Sequence, residues 1–95
     1  MQPHNAVVLG ASGLVGQRMQ QRLANHPWFR LAAVVGSQRT AGKTLESIEW
    51  NLQEPRPNLP NLTVLGSEDE RLLERLKEVN ITVAFSCLPA SIADP

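Results

Sequence analysis

Three short apolar runs punctuate the chain, and each stops abruptly at a small residue. Ala6-Val7-Val8-Leu9 ends at Gly10, Leu31-Ala32-Ala33-Val34-Val35 at Gly36-Ser37, and Ile81-Thr82-Val83-Ala84-Phe85 at Ser86. None alternates apolar with polar residues, so each predicts a strand buried on both faces, the signature of a parallel sheet. Thr63-Val64-Leu65 predicts a fourth, shorter strand. Between the first two runs, Val15, Met19 and Leu23 recur at i, i+4 and i+8 and predict an amphipathic helix that ends at Asn25-His26-Pro27. A second helix is expected over residues 68–79. Ser67 and Glu70 have capping-box spacing, Glu68 and Asp69 suit the positive helix end, and Leu72, Leu73, Leu76 and Val79 form its apolar face. Residues 51–62, with Pro55, Pro57 and Pro60, exclude a regular ladder or helix and predict a surface loop.

Strand, helix and strand within the first 36 residues make a βαβ unit, and the right-handed crossover rule makes its strands parallel. The expected fold is α/β, a Rossmann-type doubly wound parallel sheet of about four strands in three layers. A last strand followed by so little chain leaves such a sheet one-sided, so residues 1–95 read as a partial, truncated domain ending at a fragment boundary. The strand at 81–85 is then expected to expose an apolar edge and to favour self-association.

The junction of the first strand and helix reads Gly10-Ala11-Ser12-Gly13-Leu14-Val15-Gly16. Glycines in GxxGxxG spacing have separate tasks at such a junction: a tight turn, close approach of backbone N–H groups to a pyrophosphate, and close packing of helix on strand. The pattern alone is weak. Its place after a strand, at the start of a helix and inside a βαβ unit makes these seven residues a candidate dinucleotide phosphate site.

Charge sharpens the choice of dinucleotide. The 95 residues have zero formal net charge, yet residues 1–45 contain no Asp or Glu and carry Arg18, Arg22, Arg30, Arg39 and Lys43. An NAD site places an acid at the end of the second strand to bind the ribose 2′-OH. Here that place reads Gly36-Ser37-Gln38-Arg39-Thr40, with no acid before Glu46. Arg39 suits a bidentate contact to the 2′-phosphate of NADP, the hydroxyls of Ser37 and Thr40 suit donation to it, and Lys43 is a further candidate. Ser86, Leu88 and Pro89, at the carboxyl end of a parallel strand, are candidates for the cofactor-pocket wall.

The remaining chemistry is sparse. Zero net charge argues against nonspecific nucleic-acid binding. No apolar run approaches membrane-spanning length and the N-terminus lacks a signal-peptide pattern, so a cytoplasmic protein is expected. A lone Cys87 cannot form an internal disulfide, no Cys/His cluster has metal-ligand spacing, and neither His4 nor His26 lies near Cys87 in sequence. No catalytic residue is assigned. Trp28 and Phe29 are expected to plug the space between the first helix and the second strand.

The segments Val8–Gln17, Leu23–Phe29, Ser37–Lys43 and Phe85–Pro89 together resemble the N-terminal domain of the aspartate-semialdehyde dehydrogenase family, in its archaeal and fungal-like branch. The resemblance runs nearly the whole length. It implies that the Ser-x-Arg-Thr-Ala-Gly-Lys stretch holds the adenosine 2′-phosphate. It also implies a full-length homo-oligomeric enzyme that uses NADPH to reduce an acyl phosphate, β-aspartyl phosphate, to aspartate semialdehyde in lysine, methionine and threonine biosynthesis. The family's nucleophile sits in an Asn-Cys-Thr type segment that Ser86-Cys87-Leu88-Pro89 does not match, so no catalytic role carries over. Ser12 replaces the more usual Thr and keeps the hydroxyl. Two alternatives share the front-domain design: an N-acetyl-γ-glutamyl-phosphate reductase-type or other NADP oxidoreductase domain, and a non-catalytic NADP-binding module.

Overall fold

The computed structural model describes residues 3–24 and 26–87. Strands β1 (His4–Leu9), β2 (Phe29–Gly36), β3 (Leu65–Gly66) and β4 (Val83–Ser86) form one sheet in the order β3-β2-β1-β4, with every neighbouring pair parallel. Helix α1 (Leu14–Leu23) crosses from β1 to β2, and α2 (Leu72–Glu78) from β3 to β4. This is the strand order of the first half of a Rossmann sheet, with the topological switch between β1 and β4.

Burial on both faces accounts for the unbroken apolar runs of β1 and β2, whereas β4, expected to be buried on both faces as well, packs Val83 and Phe85 on the core and leaves Ala84 and Ser86 exposed. On one face Ala6, Val8, Leu31 and Val34 join Leu23 of α1, Leu45 and Val64. On the other, Val7, Ala33 and Val35 meet Leu72 and Leu76 of α2. Leu31 and Val34 share a face despite their odd spacing because the register slips between Ala6 and Val7, which pair with Leu31 and Ala33 and leave Ala32 as an extra residue. Each fully buried valine here contributes roughly 1.5–3 kcal/mol relative to exposure. No regular element forms between residues 51 and 62, as the prolines require.

Several elements differ from the sequence expectation. Helix α1 does not bury its Val15 face: Leu14 and Val15 are 59% and 64% exposed, and the buried positions are Gly16, Gln17, Gln20 and Leu23. Only Met19 and Leu23 of the expected stripe pack on the core. Helix α2 starts at Leu72, not residue 68, and Ser67 and Glu70 form no capping box. Asp69 takes over, accepting from the Arg71 N–H and from Arg75 Nε at 2.9 and 3.0 Å. These contacts hold the Asp69 carboxyl below its ordinary range. Leu73 points to solvent at 72% exposure and Val79 is also exposed. Strand β3 is two residues long and starts at Leu65, because Thr63 bridges to Thr44 instead. Strand β4 begins at Val83 rather than Ile81 and runs on to Ser86. Of the aromatic pair, Phe29 packs on the core with its ring edge-on to Phe85 at 5.5 Å, whereas Trp28 is exposed. Among the described residues the outer edge of β4 pairs with nothing.

Candidate functional site

The glycine turn is anchored before it can bind anything. Gly10 has φ +80°, open to glycine at little cost, and the N–H groups of Gly10 and Ala11 both donate to the Val35 carbonyl at 2.9 and 3.1 Å. Those two amides are therefore spent on β2. Among the described residues no protein acceptor takes the Ser12 or Gly13 N–H. The first intrahelical bond of α1 runs from Gln17 N–H to the Gly13 carbonyl, so Leu14, Val15 and Gly16 occupy the first turn with no carbonyl one turn back. The Gly13 N-cap makes no side-chain cap bond, and the first turn of α1 holds no acid. Five N–H groups in succession and the positive helix end are thus left for an anion.

Space separates the roles of the glycines. A Cβ on Gly16 would lie 2.1 Å from the Gly10 carbonyl oxygen and 2.9 Å from Ala11 Cα, so here helix and turn touch backbone to backbone. A Cβ on Gly13 would meet nothing closer than that same oxygen at 3.9 Å. The fold needs Gly16; the space at Gly13 is open for a ligand.

Beside the turn, Leu9, Gly10, Val35, Gly36, Ser37, Ser67 and Leu72 line a cleft of about 410 Å³ at the carboxyl ends of β1, β2 and β3. That is where an open α/β sheet binds ligands. A larger groove of about 530 Å³ runs from Gln38 and Gly42 past β3 to Arg75, but it does not reach the Gly10–Gly16 turn and its arginine is paired with Asp69. Ser37 opens a turn in which Thr40 N–H and Ala41 N–H both donate to its carbonyl. Arg39 is exposed on this turn and, like exposed Lys43, makes no ion pair among the described residues. Thr40 is built into the turn: its hydroxyl donates to the Ser37 carbonyl at 3.3 Å, and a Cβ on Gly36 would strike that hydroxyl at 2.2 Å. The Ser37 oxygen accepts from Arg39 N–H at 3.3 Å, which leaves its proton available.

At the switch point Ser86 pairs with Leu9, and Cys87 N–H donates to the Leu9 carbonyl at 2.8 Å. Ser86 thus stands beside the glycine turn, exposed. Leu88 and Pro89 lie outside the described residues. Burial pushes the Cys87 thiol above its ordinary pKa. The neutral thiol is the form the fold favours, so this contribution to stability is complete below the ordinary cysteine range and is lost as pH rises through it toward the raised folded value. Native protein at pH 8 is accordingly expected to react with iodoacetamide several-fold more slowly than urea-unfolded protein; equal rates would show that Cys87 is not shielded.

Two residues that the sequence did not single out complete the turn. Gln17 and Gln20 are 2% and 1% exposed, and their amides bind the carbonyls of the turn. Gln20 Nε2 donates to Ala11 O at 2.8 Å. Gln17 Nε2 donates to Ser12 O at 3.2 Å and Glu49 O at 2.8 Å, while its Oε1 accepts from Asn51 N–H at 2.8 Å. A signal was present: Gly16 marks the face of α1 that touches the strand, and Gln20 and Leu23 follow it at i+4 and i+7.

Known proteins share this arrangement. Residues 5–95 match the family model described as semialdehyde dehydrogenase, NAD binding domain. Aspartate-semialdehyde dehydrogenase from Archaeoglobus fulgidus is 37% identical over 87 residues, 90% of this chain and 24% of that protein. The Saccharomyces cerevisiae enzyme is 45% identical over 89 residues, 93% of this chain and 23% of that protein. The crystal structure of aspartate-semialdehyde dehydrogenase with NADP from Candida albicans superimposes with a TM-score of 0.76 at 33% identity, over 97% of this chain and 25% of that one. The chain spans about a quarter of the length of these relatives. With the strand order, the glycine turn and the sequence match all in agreement, the chain belongs to the semialdehyde dehydrogenase NAD-binding domain family.

Proposed function

We propose that this chain binds NADP(H) and forms the cofactor-binding part of an aspartate-semialdehyde dehydrogenase. The observation that carries the reading is the pairing of two anion sites at one sheet end: the N–H groups of Ser12 to Gly16, and the turn bearing Ser37 and Arg39, which has no acid of its own where an NAD site would hold a carboxylate and meets the Glu68 carboxylate only through Gln38. In this reading the N–H groups of Ser12 and Gly13 and the first turn of α1 hold the pyrophosphate, and Gly13 lets it approach. The cleft lined by Gly10, Gly36, Ser37 and Leu72 takes the adenosine, with Ser37 at the 2′-phosphate and Arg39 and Lys43, exposed beyond the cleft lining, reaching it from the following turn. Thr40 shapes that turn, and Ser86 supplies the wall on the β4 side.

When bound, NADPH supplies the reducing equivalent for an acyl phosphate such as β-aspartyl phosphate. The residues described here bind and orient the cofactor. Cys87 is buried, carries a raised pKa and has no histidine near it in sequence, so the thiol and acid–base chemistry is assigned to parts of the enzyme other than these residues. The name shared by the Archaeoglobus fulgidus and Saccharomyces cerevisiae relatives supports this substrate over the acetylglutamyl-phosphate alternative. The active enzyme is read as a homo-oligomer in the cytoplasm; among the described residues no helix is long and apolar enough to cross a membrane.

Calorimetric titration of the chain with NADP tests the binding. Given aspartate semialdehyde, phosphate and NADP, the same chain is expected to form no NADPH. Absence of NADP binding would sink the proposal, and turnover abolished by Cys87→Ser would overturn the assignment of chemistry elsewhere.

A further inference from the structure

We propose that Gln17 and Gln20 are positioning residues that set the phosphate affinity of the glycine turn by holding two peptide groups in the orientation an anion requires. The inference rests on the NADP reading of that turn.

The geometry follows from the planar trans peptide. No peptide bond among the described residues is cis, so each C=O there points opposite to the N–H of the next residue. Gln20 captures Ala11 O at 2.8 Å, which turns the Ser12 N–H away from the helix. Gln17 captures Ser12 O at 3.2 Å, which does the same for the Gly13 N–H. Those are the two turn amides from which no group among the described residues accepts. If either peptide flipped, a carbonyl oxygen would face the phosphate in place of a donor, and attraction would become repulsion.

The choice of residue supports this. Burying an amide side chain is costly unless its donors and acceptors are met, and an apolar side chain of the same length would fill these positions without that demand. Both amides sit almost entirely out of water, and each spends a donor on the turn. Gln17 does more: its contacts with Glu49 O and Asn51 N–H brace the turn against residues 49–51, far along the chain. Gln20 has the Ala11 carbonyl as its partner. The two glutamines thus separate, one as a clamp alone and one as a clamp with a brace.

Methionine keeps the length and removes the donor, so Gln20→Met and Gln17→Met are the direct tests. Gln17→Glu keeps an acceptor for Asn51 N–H and loses the donor to both Ser12 O and Glu49 O, so its comparison with Gln17→Met separates the Asn51 contact from the two donor contacts. Each variant is titrated with NADP and with adenosine 2′-monophosphate, which lacks the pyrophosphate and reports on the Arg39 pocket. In the folded variants NADP affinity is expected to fall about tenfold, while adenosine 2′-monophosphate affinity stays within about twofold of wild type. Should Gln20→Met fail to fold, the Gln17 pair carries the measurement. Unchanged NADP affinity, or equal losses for both ligands in step with a falling melting temperature, would overturn the inference. Wild-type protein that binds neither ligand would overturn the cofactor reading instead.

Discussion

Gly13→Val is expected to weaken NADP binding at least about a hundredfold while leaving the fold in place. In the proposed binding mode the turn offers the Ser12 and Gly13 N–H groups to the pyrophosphate, and a charge-assisted hydrogen bond contributes roughly 1.5–3 kcal/mol; two of them give roughly 3–6 kcal/mol, or about two decades of affinity and more. A valine side chain at Gly13 occupies the approach. The fold barely registers it: the new Cβ meets only the Gly10 oxygen at 3.9 Å, and φ −77°, ψ 170° is extended backbone that a β-branched residue adopts readily. Replacing a glycine N-cap by valine costs up to about 1 kcal/mol, a few degrees of melting temperature in a domain of this size.

Gly16→Ala is the contrasting change. Helix propensity alone favours alanine by about 0.8–1 kcal/mol. The 2.1 Å approach of its Cβ to the Gly10 oxygen reverses the sign, because the obstacle is backbone and cannot rotate away. Forced separation of helix and turn is expected to cost roughly 1–3 kcal/mol or more. Thermal melts and NADP titrations on both variants check the pair. Gly13→Val protein with wild-type affinity, or Gly16→Ala protein with wild-type stability, would show that the turn is assigned wrongly.

NADP is expected to bind the chain more tightly than NAD by about ten- to over a hundredfold, the worth of a bidentate, charge-assisted contact from Arg39 to the 2′-phosphate. The guanidinium is exposed and makes no ion pair among the described residues, so no competing carboxylate must be displaced. Exposure also means screening, and the preference should shrink between low salt and about 1 M salt while NAD binding changes less. Arg39→Ala should remove most of the gap. Ser37→Asp should go further, since Ser37 lines the cleft proposed for the adenosine and a carboxylate there repels a phosphate yet accepts from a ribose 2′-OH. Titration of both cofactors against wild type and the two variants is decisive: equal wild-type affinities, or an Arg39→Ala protein with its preference intact, would end this assignment.

Much of this molecule could be read from the order of its residues. Strands β1 and β2 announced themselves because burial on both sheet faces leaves no room for alternation, and a run such as Leu31–Val35 has few other uses; β4 was legible from its apolar run although one of its faces is exposed. The glycine turn was legible because its constraints are local: a left-handed φ at Gly10 and a missing side chain at Gly16 are demands on single positions. The missing carboxylate after β2 was legible as well, since charge needs no coordinates.

What stayed hidden was which side of each helix meets the sheet, and that depends on partners distant in sequence. Hydrophobicity placed Val15 inward and overlooked Gln17 and Gln20. The close packing of Gly16 on the turn rotates α1 instead so that the glutamines are buried, where the backbone carbonyls of Ala11, Ser12 and Glu49 meet their amides. Polar atoms become core atoms when the fold supplies every hydrogen bond, and only the assembled structure says whether it does. The start of α2 is a similar case. Ser67 and Glu70 had capping-box spacing, but Ser67 N–H is taken by the Gly36 carbonyl and Asp69 N–H by that of Gly66, so the chain is still turning out of the sheet at those residues and the helix waits until Leu72. The sequence determined the elements, the turn and the sign of its charge; tertiary contacts decided which faces are buried and which amides are left free for a phosphate.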